Sequence, residues 1–160
     1  MRLYHGSTCV VEHPDVQRSR KNLDFGPGFY LTSFREQAER WALRKAQFEH
    51  ESAILNVFEL DDSLSDLSIL QFFENDADWV DFVYRCRKGE SPFAGYDLII
   101  GGVADDKVYE AVNMYFRGLW DMETTLNALR FYEKNDQYCF VTQKAIDGKL
   151  SFLEAYEVIR

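Results

Sequence analysis

The sequence predicts an α+β fold for one domain that spans residues 1–160. Hydrophobic residues make up 46% of the chain and aromatic residues 16%, enough for one sizeable core. The segment 96–103 is nearly all apolar and carries two glycines near its end, as expected for a buried central strand. Other segments place apolar residues at helical spacing. Because strands and helices do not alternate regularly, the pattern favours α+β over repeated βαβ units.

The individual elements follow from local composition. Apolar, aromatic and β-branched content predicts strands at 2–5, 29–32, 53–60, 96–103, 137–142 and 151–158. Helical spacing predicts helices at 34–48, 67–73, 78–88, 105–118 and 121–132. Residues 14–20 form either a loop or one helical turn. Ser33 followed by Glu36 has the pattern of a capping box, and Asp105 is expected to cap the helix that follows it.

The charge balance narrows the range of partners. The chain carries 27 acidic and 18 basic residues, a formal net charge of −9. A negative surface repels phosphate backbones and anionic lipid headgroups, so neither nucleic acid nor a membrane is an expected partner. No stretch approaches the roughly 18 apolar residues that a membrane span needs. The residues that follow Met1 are not those of a secretion signal.

The cysteines predict neither a disulfide framework nor a metal site. Cys9, Cys86 and Cys139 stand far apart, and their number is odd. No His or Cys cluster has the spacing of zinc ligands, so we expect no metal. The three thiols are expected to fill space in the core. Taken with the charge, these features predict a soluble protein of the reducing cytoplasm.

Two segments carry residue types suited to holding a nicotinamide nucleotide. They are Tyr4-His5-Gly6-Ser7, which ends a predicted strand, and Phe25-Gly26-Pro27-Gly28-Phe29-Tyr30. His5 offers a ring nitrogen to a ribose hydroxyl, and Gly6 lets the backbone approach an amide closely. Tyr30 offers an aromatic wall beside them.

These segments, followed by a helix with Gln37-Ala38-Glu39-Arg40-Trp41, resemble the ADP-ribosyltransferase superfamily. The branch concerned is typified by diphtheria toxin and the poly(ADP-ribose) polymerases, with an H-Y-E triad on a small split β-sheet. The resemblance implies a split-sheet core with peripheral helices and NAD as the substrate. It implies that His5 binds the nicotinamide ribose, that Gly6 binds the carboxamide and that Tyr30 is the second triad member. The other residues it implies in NAD binding are Tyr4, Ser7, Phe25, Gly28, Phe29 and Trp41.

The whole chain also looks like a bacterial family of unknown function within that superfamily. Residues 79–83 and 96–106 contribute to this second likeness. It implies a setting in small bacterial operons and a toxin–antitoxin role in which an antitoxin protein would be a partner. The acidic surface or the segment 61–78 would then dock the antitoxin.

The third triad position departs from the family pattern. It aligns with Gln137, whose neutral amide can hydrogen-bond a ribose hydroxyl but cannot offset developing positive charge. Asp136 or Glu133 would supply a carboxylate if the strand register differed. The resemblance therefore implies a mono-ADP-ribosyltransferase acting on a protein or small acceptor. The alternative is a non-catalytic NAD- or ADP-ribose-binding module, or a protein-interaction domain that keeps the transferase fold.

The arginine that would hold the pyrophosphate of NAD is left open by the sequence. Arg18 and Arg20 are candidates in the segment before the glycine-rich loop. Arg85 and Arg87 are expected on the solvated face of a helix, which disfavours them as a pyrophosphate clamp.

Overall fold

The computed structural model describes residues 1–159. Within that range the strands are β1 Arg2–Ser7, β2 Phe29–Leu31, β3 Ile54–Leu60, β4 Ile69–Gln71, β5 Leu98–Gly101, β6 Gln137–Phe140 and β7 Leu150–Glu157. The helices are α1 Arg35–Glu49, α2 Ala77–Arg87, α3 Asp106–Phe116, α4 Met122–Leu129 and α5 Gln143–Lys149, with a short 3-10 helix at Val16–Arg18. The α+β class predicted from the sequence is confirmed.

The strands form two small sheets. The first has the order β1-β3-β7 and is antiparallel throughout. The second has the order β2-β6-β5-β4, and its β4–β5 pair is parallel. The sheets meet where Tyr4 and Thr32 exchange backbone hydrogen bonds of 2.8 and 2.9 Å. This pair fixes β1 beside β2 and brings the two predicted nucleotide-binding segments together.

Two hydrophobic cores lie on opposite faces of the second sheet. The first, which we call the helical core, packs one face against α2 and α3; it includes Phe25, Trp79, Val83, Ile99, Val112 and Cys139. The second, the inter-sheet core, lies on the other face; it includes Leu3, Phe29, Leu31, Phe58, Leu98 and Phe140. Side chains alternate between the faces of a strand, so successive residues of β2 enter different cores.

Several predicted elements appear close to their expected bounds, one segment forms a different element, and one helix was not predicted. The segment 67–73 forms strand β4 and not a helix. Leu67, Leu70 and Phe73 have helical spacing, but β5 supplies a parallel partner for Ile69–Gln71. Helix α5 was not expected, since its seven residues include Gly148 and are too few for a clear period.

The start of α1 also differs from the expected capping box. The residue at the cap is Phe34, and no side chain caps it. Ser33 instead uses its backbone N–H and its hydroxyl to donate to the carboxylate of Asp136. At α3 the expectation holds, because the Asp105 carboxylate accepts from Val108 N at 2.9 Å.

The cysteines are unpaired and differ in their surroundings. Cys86 and Cys139 are buried as expected, and burial raises the pKa of each thiol to about 12. Cys9 is exposed, so its expected place in the core is wrong. Between residues 1 and 159, no cluster of three or more His, Cys, Asp or Glu side chains is arranged to hold a metal ion. None of the helices in this range has the length and apolar character to cross a bilayer.

Candidate functional site

His5 is joined to Tyr30 by a hydrogen bond across the gap between β1 and β2. Nδ1 of His5 lies 2.7 Å from the Tyr30 carbonyl oxygen. A carbonyl only accepts, so Nδ1 carries the proton and Nε2 is left with a lone pair. Burial lowers the pKa of His5 from 6.5 to about 4, and the ring is therefore neutral at pH 7. The imidazole is a hydrogen-bond acceptor at a fixed position.

Gly6 presents its backbone amide and carbonyl on the edge of β1 that faces β2. Tyr4 uses that edge to pair with Thr32, and backbone groups point to alternate edges along a strand. In a continuing ladder Gly6 would pair with Tyr30. The Tyr30 carbonyl instead accepts from His5, and the described residues contain no β1–β2 pair besides Tyr4–Thr32. One donor and one acceptor of Gly6 therefore lie side by side at the point where the sheets separate.

Gly6 is also the point where α1 comes closest to β1. A Cβ atom on this residue would lie 2.1 Å from the Ala38 carbonyl oxygen and 2.7 Å from Ala42 N. Only glycine allows this approach of helix and strand. The packing requirement and the edge position are two separate reasons for a glycine here.

Tyr30 turns its phenol back onto the glycine-rich loop. Its hydroxyl donates to the Gly26 carbonyl at 2.5 Å and accepts from Phe25 N at 3.0 Å. Burial raises the pKa of the Tyr30 phenol well above its ordinary value, so the group stays protonated. The ring is half-buried and packs against the helical core. Tyr30 thus holds the conformation of the loop that precedes it.

The other residues of that loop belong to the surrounding structure. Phe25 is fully buried in the helical core, and Phe29 packs in the inter-sheet core with its ring centroid 4.4 Å from that of His5. Gly28 donates its N–H to the Ser19 hydroxyl, and a Cβ there would lie 2.5 Å from the Cys139 sulfur. The loop is held by close contacts on each side.

Three further residues, Tyr4, Ser7 and Trp41, are also predicted to contact NAD. Tyr4 and Trp41 are half-buried, Tyr4 on β1 and Trp41 on α1. Ser7 is buried, and its hydroxyl lies 3.8 Å from the Cys9 sulfur. The roles of these three residues in ligand binding stay predictions.

Gln137, the predicted third triad member, belongs to a buried polar network. It shares a face of the second sheet with Tyr30, because Tyr30 pairs with Cys139 two residues along β6. Its Nε2 donates to the Asp24 carboxylate at 2.9 Å and to the Gly102 carbonyl at 3.1 Å. Both amide hydrogens of Gln137 are thereby occupied, and its amide oxygen takes part in neither of these bonds.

Asp24 is the centre of that network and was not singled out in the sequence. Its Oδ1 pairs with Arg87 Nη2 at 2.6 Å, and its Oδ2 accepts from Ala104 N at 2.7 Å. Arg87 also donates to the Ala104 carbonyl and lies 4.0 Å over the ring of Tyr109. The expected place of Arg87 on a solvated helix face is therefore wrong. The partners of Asp24 lie 63, 80 and 113 residues away along the chain, beyond the reach of any local motif.

The carboxylates considered as substitutes for Gln137 have other positions. Asp136 accepts from the Thr32 hydroxyl at 2.7 Å and from Ser33 N at 2.9 Å, so it braces the turn from β2 to α1. Glu133 is exposed in the segment before β6.

The other arginines considered for the pyrophosphate of NAD are not buried. Arg85 pairs with Glu90 at 3.4 Å, while Arg18 and Arg20 are exposed near the 3-10 helix.

A family model described as "Protein of unknown function (DUF3990)" matches residues 1–152, a range that includes every site residue named above. Comparison with curated proteins finds no significant match.

Proposed function

The chain belongs to the DUF3990 family of unknown function, and we propose that it binds NAD where β1 and β2 separate. We propose further that it transfers ADP-ribose from NAD to one acceptor group on a protein or a small molecule. Two small sheets that meet at the Tyr4–Thr32 pair support the ADP-ribosyltransferase-like interpretation of the fold. The observation that carries the proposal is the position of Gly6 beside His5, with its N–H and C=O on the edge of β1 that faces β2.

Gly6 is suited to a primary carboxamide. Its N–H and C=O on the free edge of β1 would pair with the carbonyl oxygen and the amino group of nicotinamide. Two hydrogen bonds to one planar group fix its orientation as well as its position. Gly6 is buried, so nicotinamide would enter by widening the gap beyond the Tyr4–Thr32 pair.

His5 is suited to the ribose next to that ring. Its Nε2 would accept a hydrogen bond from a ribose hydroxyl, because Nδ1 already donates to Tyr30. With a pKa of about 4 the imidazole adds no positive charge at neutral pH. A protonated imidazole would repel the nicotinamide ring of NAD, which is cationic, and the ribose, which becomes cationic as the ring leaves.

The proposed reaction breaks the bond between the nicotinamide nitrogen and ribose C1′. The bonding electron pair leaves with nicotinamide, which becomes neutral, and positive charge develops on the ribose. A nucleophilic oxygen, nitrogen or sulfur of the acceptor then bonds to C1′, and its proton passes to solvent. Gln137 would offer only its amide oxygen to this charge, which stabilises it less than a carboxylate does. We therefore expect slow transfer of single ADP-ribose groups.

The alternative is a module that binds NAD or ADP-ribose without cleaving it. The observation that favours it is the buried network, in which Gln137 donates to Asp24 and the Asp24 carboxylate is paired with Arg87. In this interpretation no free negative charge stabilises the ribose cation. The pocket at Gly6 would then serve recognition alone.

Incubation with NAD labelled in the nicotinamide ring separates the two functions. Free nicotinamide release by the wild-type chain supports the transferase, and loss of about tenfold or more in a folded His5→Gln variant assigns it to this site. His13→Gln, at an exposed position, is the matched control outside the site. Binding of NAD in calorimetry without release supports the module. No binding by a folded wild-type chain, verified by circular dichroism, contradicts both.

A further inference from the structure

A groove unrelated to the His5 site lies between β4 and the first turns of α2. It has a volume of about 650 Å³. We call it the β4 groove; the side chains that line it and matter below are Phe72, Phe73, Tyr96, Glu74, Asp78 and Asp81. β4 is an edge strand of the β2-β6-β5-β4 sheet. The groove is therefore bordered by the backbone of an edge strand as well as by side chains.

The backbone of β4 is open on the side away from β5. In the parallel pair, Phe72 N donates to the Ile100 carbonyl at 2.8 Å, and the Ser68 carbonyl accepts from Asp97 N at 2.7 Å. Because backbone groups alternate along a strand, those of Ile69 and Gln71 point outward. Such an edge is a template for one more strand.

The groove also presents aromatic surface to solvent. The Phe73 side chain is 85% exposed at the end of β4. Phe72 and Tyr96 are half-buried and line the groove beside it. Aromatic side chains beside a free sheet edge suit a peptide-binding face, where main-chain bonds give affinity and side-chain contacts give specificity.

The charge on the rim of the groove is negative. Glu74, Asp78 and Asp81 are exposed there. Among residues 1–159, Arg85 is the one cation in the lining, and it lies 4.0 Å from Asp81 and 3.4 Å from Glu90. A strand added at this edge would therefore meet carboxylates, and its complement is a basic segment.

We propose that the β4 groove binds an extended segment of a partner protein that carries lysine or arginine and pairs with β4 as an added strand. A second copy of this chain is the less suitable occupant, because pairing would bring two acidic rims together on molecules with a net charge of −9. Nucleic acid is repelled by the same charges. The proposal does not depend on NAD binding, since the groove shares no residue with the His5 site.

The direct test uses a short blocked peptide in which lysine and valine alternate, titrated into the nitrogen-15-labelled chain. We expect amide shift changes confined to residues 68–78 and the facing turns of α2. A peptide with glutamate in place of lysine should not bind. N-methylation of alternate peptide bonds should abolish binding while leaving the charge unchanged, because it removes the hydrogen bonds to β4. Binding that survives N-methylation, shifts centred elsewhere, or no binding would overturn the proposal.

Variants then assign the binding to the rim and the aromatic surface. Glu74→Gln and Asp78→Asn should each weaken the peptide by about two- to fivefold, the effect of one exposed ion pair, and added salt should remove the difference. Glu12→Gln, an exposed carboxylate far along the chain, is the matched control. Phe73→Ala should weaken binding and Phe131→Ala should not, although Phe131 is 90% exposed.

Two further outcomes separate this proposal from its alternatives. Self-association in sedimentation that Phe73→Ala abolishes would assign the groove to a second copy of the chain and overturn the proposal. Peptide binding that is unchanged in His5→Gln supports a surface independent of the NAD site. A failure of NAD binding with intact peptide binding would contradict the proposed function alone.

Discussion

The side-chain amide of Gln137 donates to the carboxylate of Asp24 across 113 residues of sequence, with 2.9 Å between Nε2 and Oδ2. Gln137 begins β6, and Asp24 immediately precedes the glycine-rich loop. Both side chains are buried. The contact ties the predicted third triad position to the loop that the Tyr30 hydroxyl holds in place. A charge introduced at Gln137 would therefore lie next to the Asp24 carboxylate.

The first prediction concerns Gln137→Glu. The variant places a carboxylate at the predicted third triad position, but it sets that group against Asp24 in a buried site. We expect a loss of unfolding free energy on the order of 3 kcal/mol at pH 7, because Arg87 cannot neutralise two carboxylates. The loss should shrink at low pH, where a proton on the introduced carboxyl removes the repulsion. Urea unfolding at several pH values measures this.

The double variant Asp24→Asn with Gln137→Glu is the control. It keeps one carboxylate and one amide in the network and exchanges their positions. We expect it to recover part of the stability lost by Gln137→Glu alone, because the like charges are gone but the bond to the Gly102 carbonyl is not restored. On the proposed function it should also release nicotinamide faster than the wild type, since the charge then lies at the predicted third triad position. Full stability of the single Gln137→Glu variant would show that its side chain does not contact Asp24 in solution.

The second prediction concerns Arg87, which pairs with Asp24 at 2.6 Å and donates to the Ala104 carbonyl. Arg87→Met leaves the Asp24 carboxylate buried without a cation, at a cost of about 3–5 kcal/mol in unfolding free energy. Arg87→Lys should also destabilise, since an ammonium group cannot reproduce the planar fork. Arg85→Lys, whose ion pairs are exposed, should stay within about 1 kcal/mol of the wild type. Equal effects at the two positions would contradict the network.

The fold was predictable where local composition decides it. The apolar segment around Leu98–Gly101 forms a central strand because it is buried on both faces, and periodicity identified α1 and α2. Strand β4 was predicted as a helix because its pairing with β5 is a tertiary contact that local spacing does not contain. The capping role predicted for Ser33 was wrong for the same reason, because its partner Asp136 lies 103 residues away along the chain.

The site was predictable only in part, for the same physical reason. Residue types identified His5, Gly6 and Tyr30 as a group, and the Tyr4–Thr32 pair brings them together. The sequence did not indicate that Tyr30 would bond its own loop or that Asp24 would hold Gln137. Both depend on which side chains meet inside the fold. The local sequence offered one indication of a role for Asp24, namely its position immediately before Phe25 and the glycine-rich loop.

The third prediction tests the approach of α1 to β1 at Gly6. Gly6→Ala would place a methyl group 2.1 Å from the Ala38 carbonyl, so strand and helix must move apart. We expect a loss of about 1–3 kcal/mol, the range for overpacking a close contact. Gly148→Ala is the matched control, because no atom lies within 4 Å of a Cβ there and the residue is in α5. It should stabilise the chain by about 0.5–1 kcal/mol. Thermal unfolding of both variants gives the comparison.

The last prediction concerns the pH dependence that His5 imposes. Its folded pKa of about 4 lies below the ordinary value of 6.5. As the pH falls from 6.5 to 4, the unfolded chain takes up a proton at His5 and the folded chain does not. The unfolding free energy should therefore decrease through this window and level off below it. The contribution should be on the order of 2 kcal/mol, less than the full shift implies, because the ring is partly exposed.

Carboxylates titrate in the same range, so the effect of His5 has to be isolated by difference. Hydrogen bonds from Ser68 and Thr142 lower the pKa of Asp97, for example, and its contribution is lost at still lower pH. In His5→Gln the residue no longer titrates, and its unfolding free energy should fall less steeply between pH 6.5 and 4 than that of the wild type. His13→Gln, at an exposed position, is the matched control. Parallel slopes for His5→Gln and the wild type would mean that the imidazole takes up its proton as readily in the folded chain as in the unfolded one. The neutral acceptor proposed for the ribose would then be absent near pH 6.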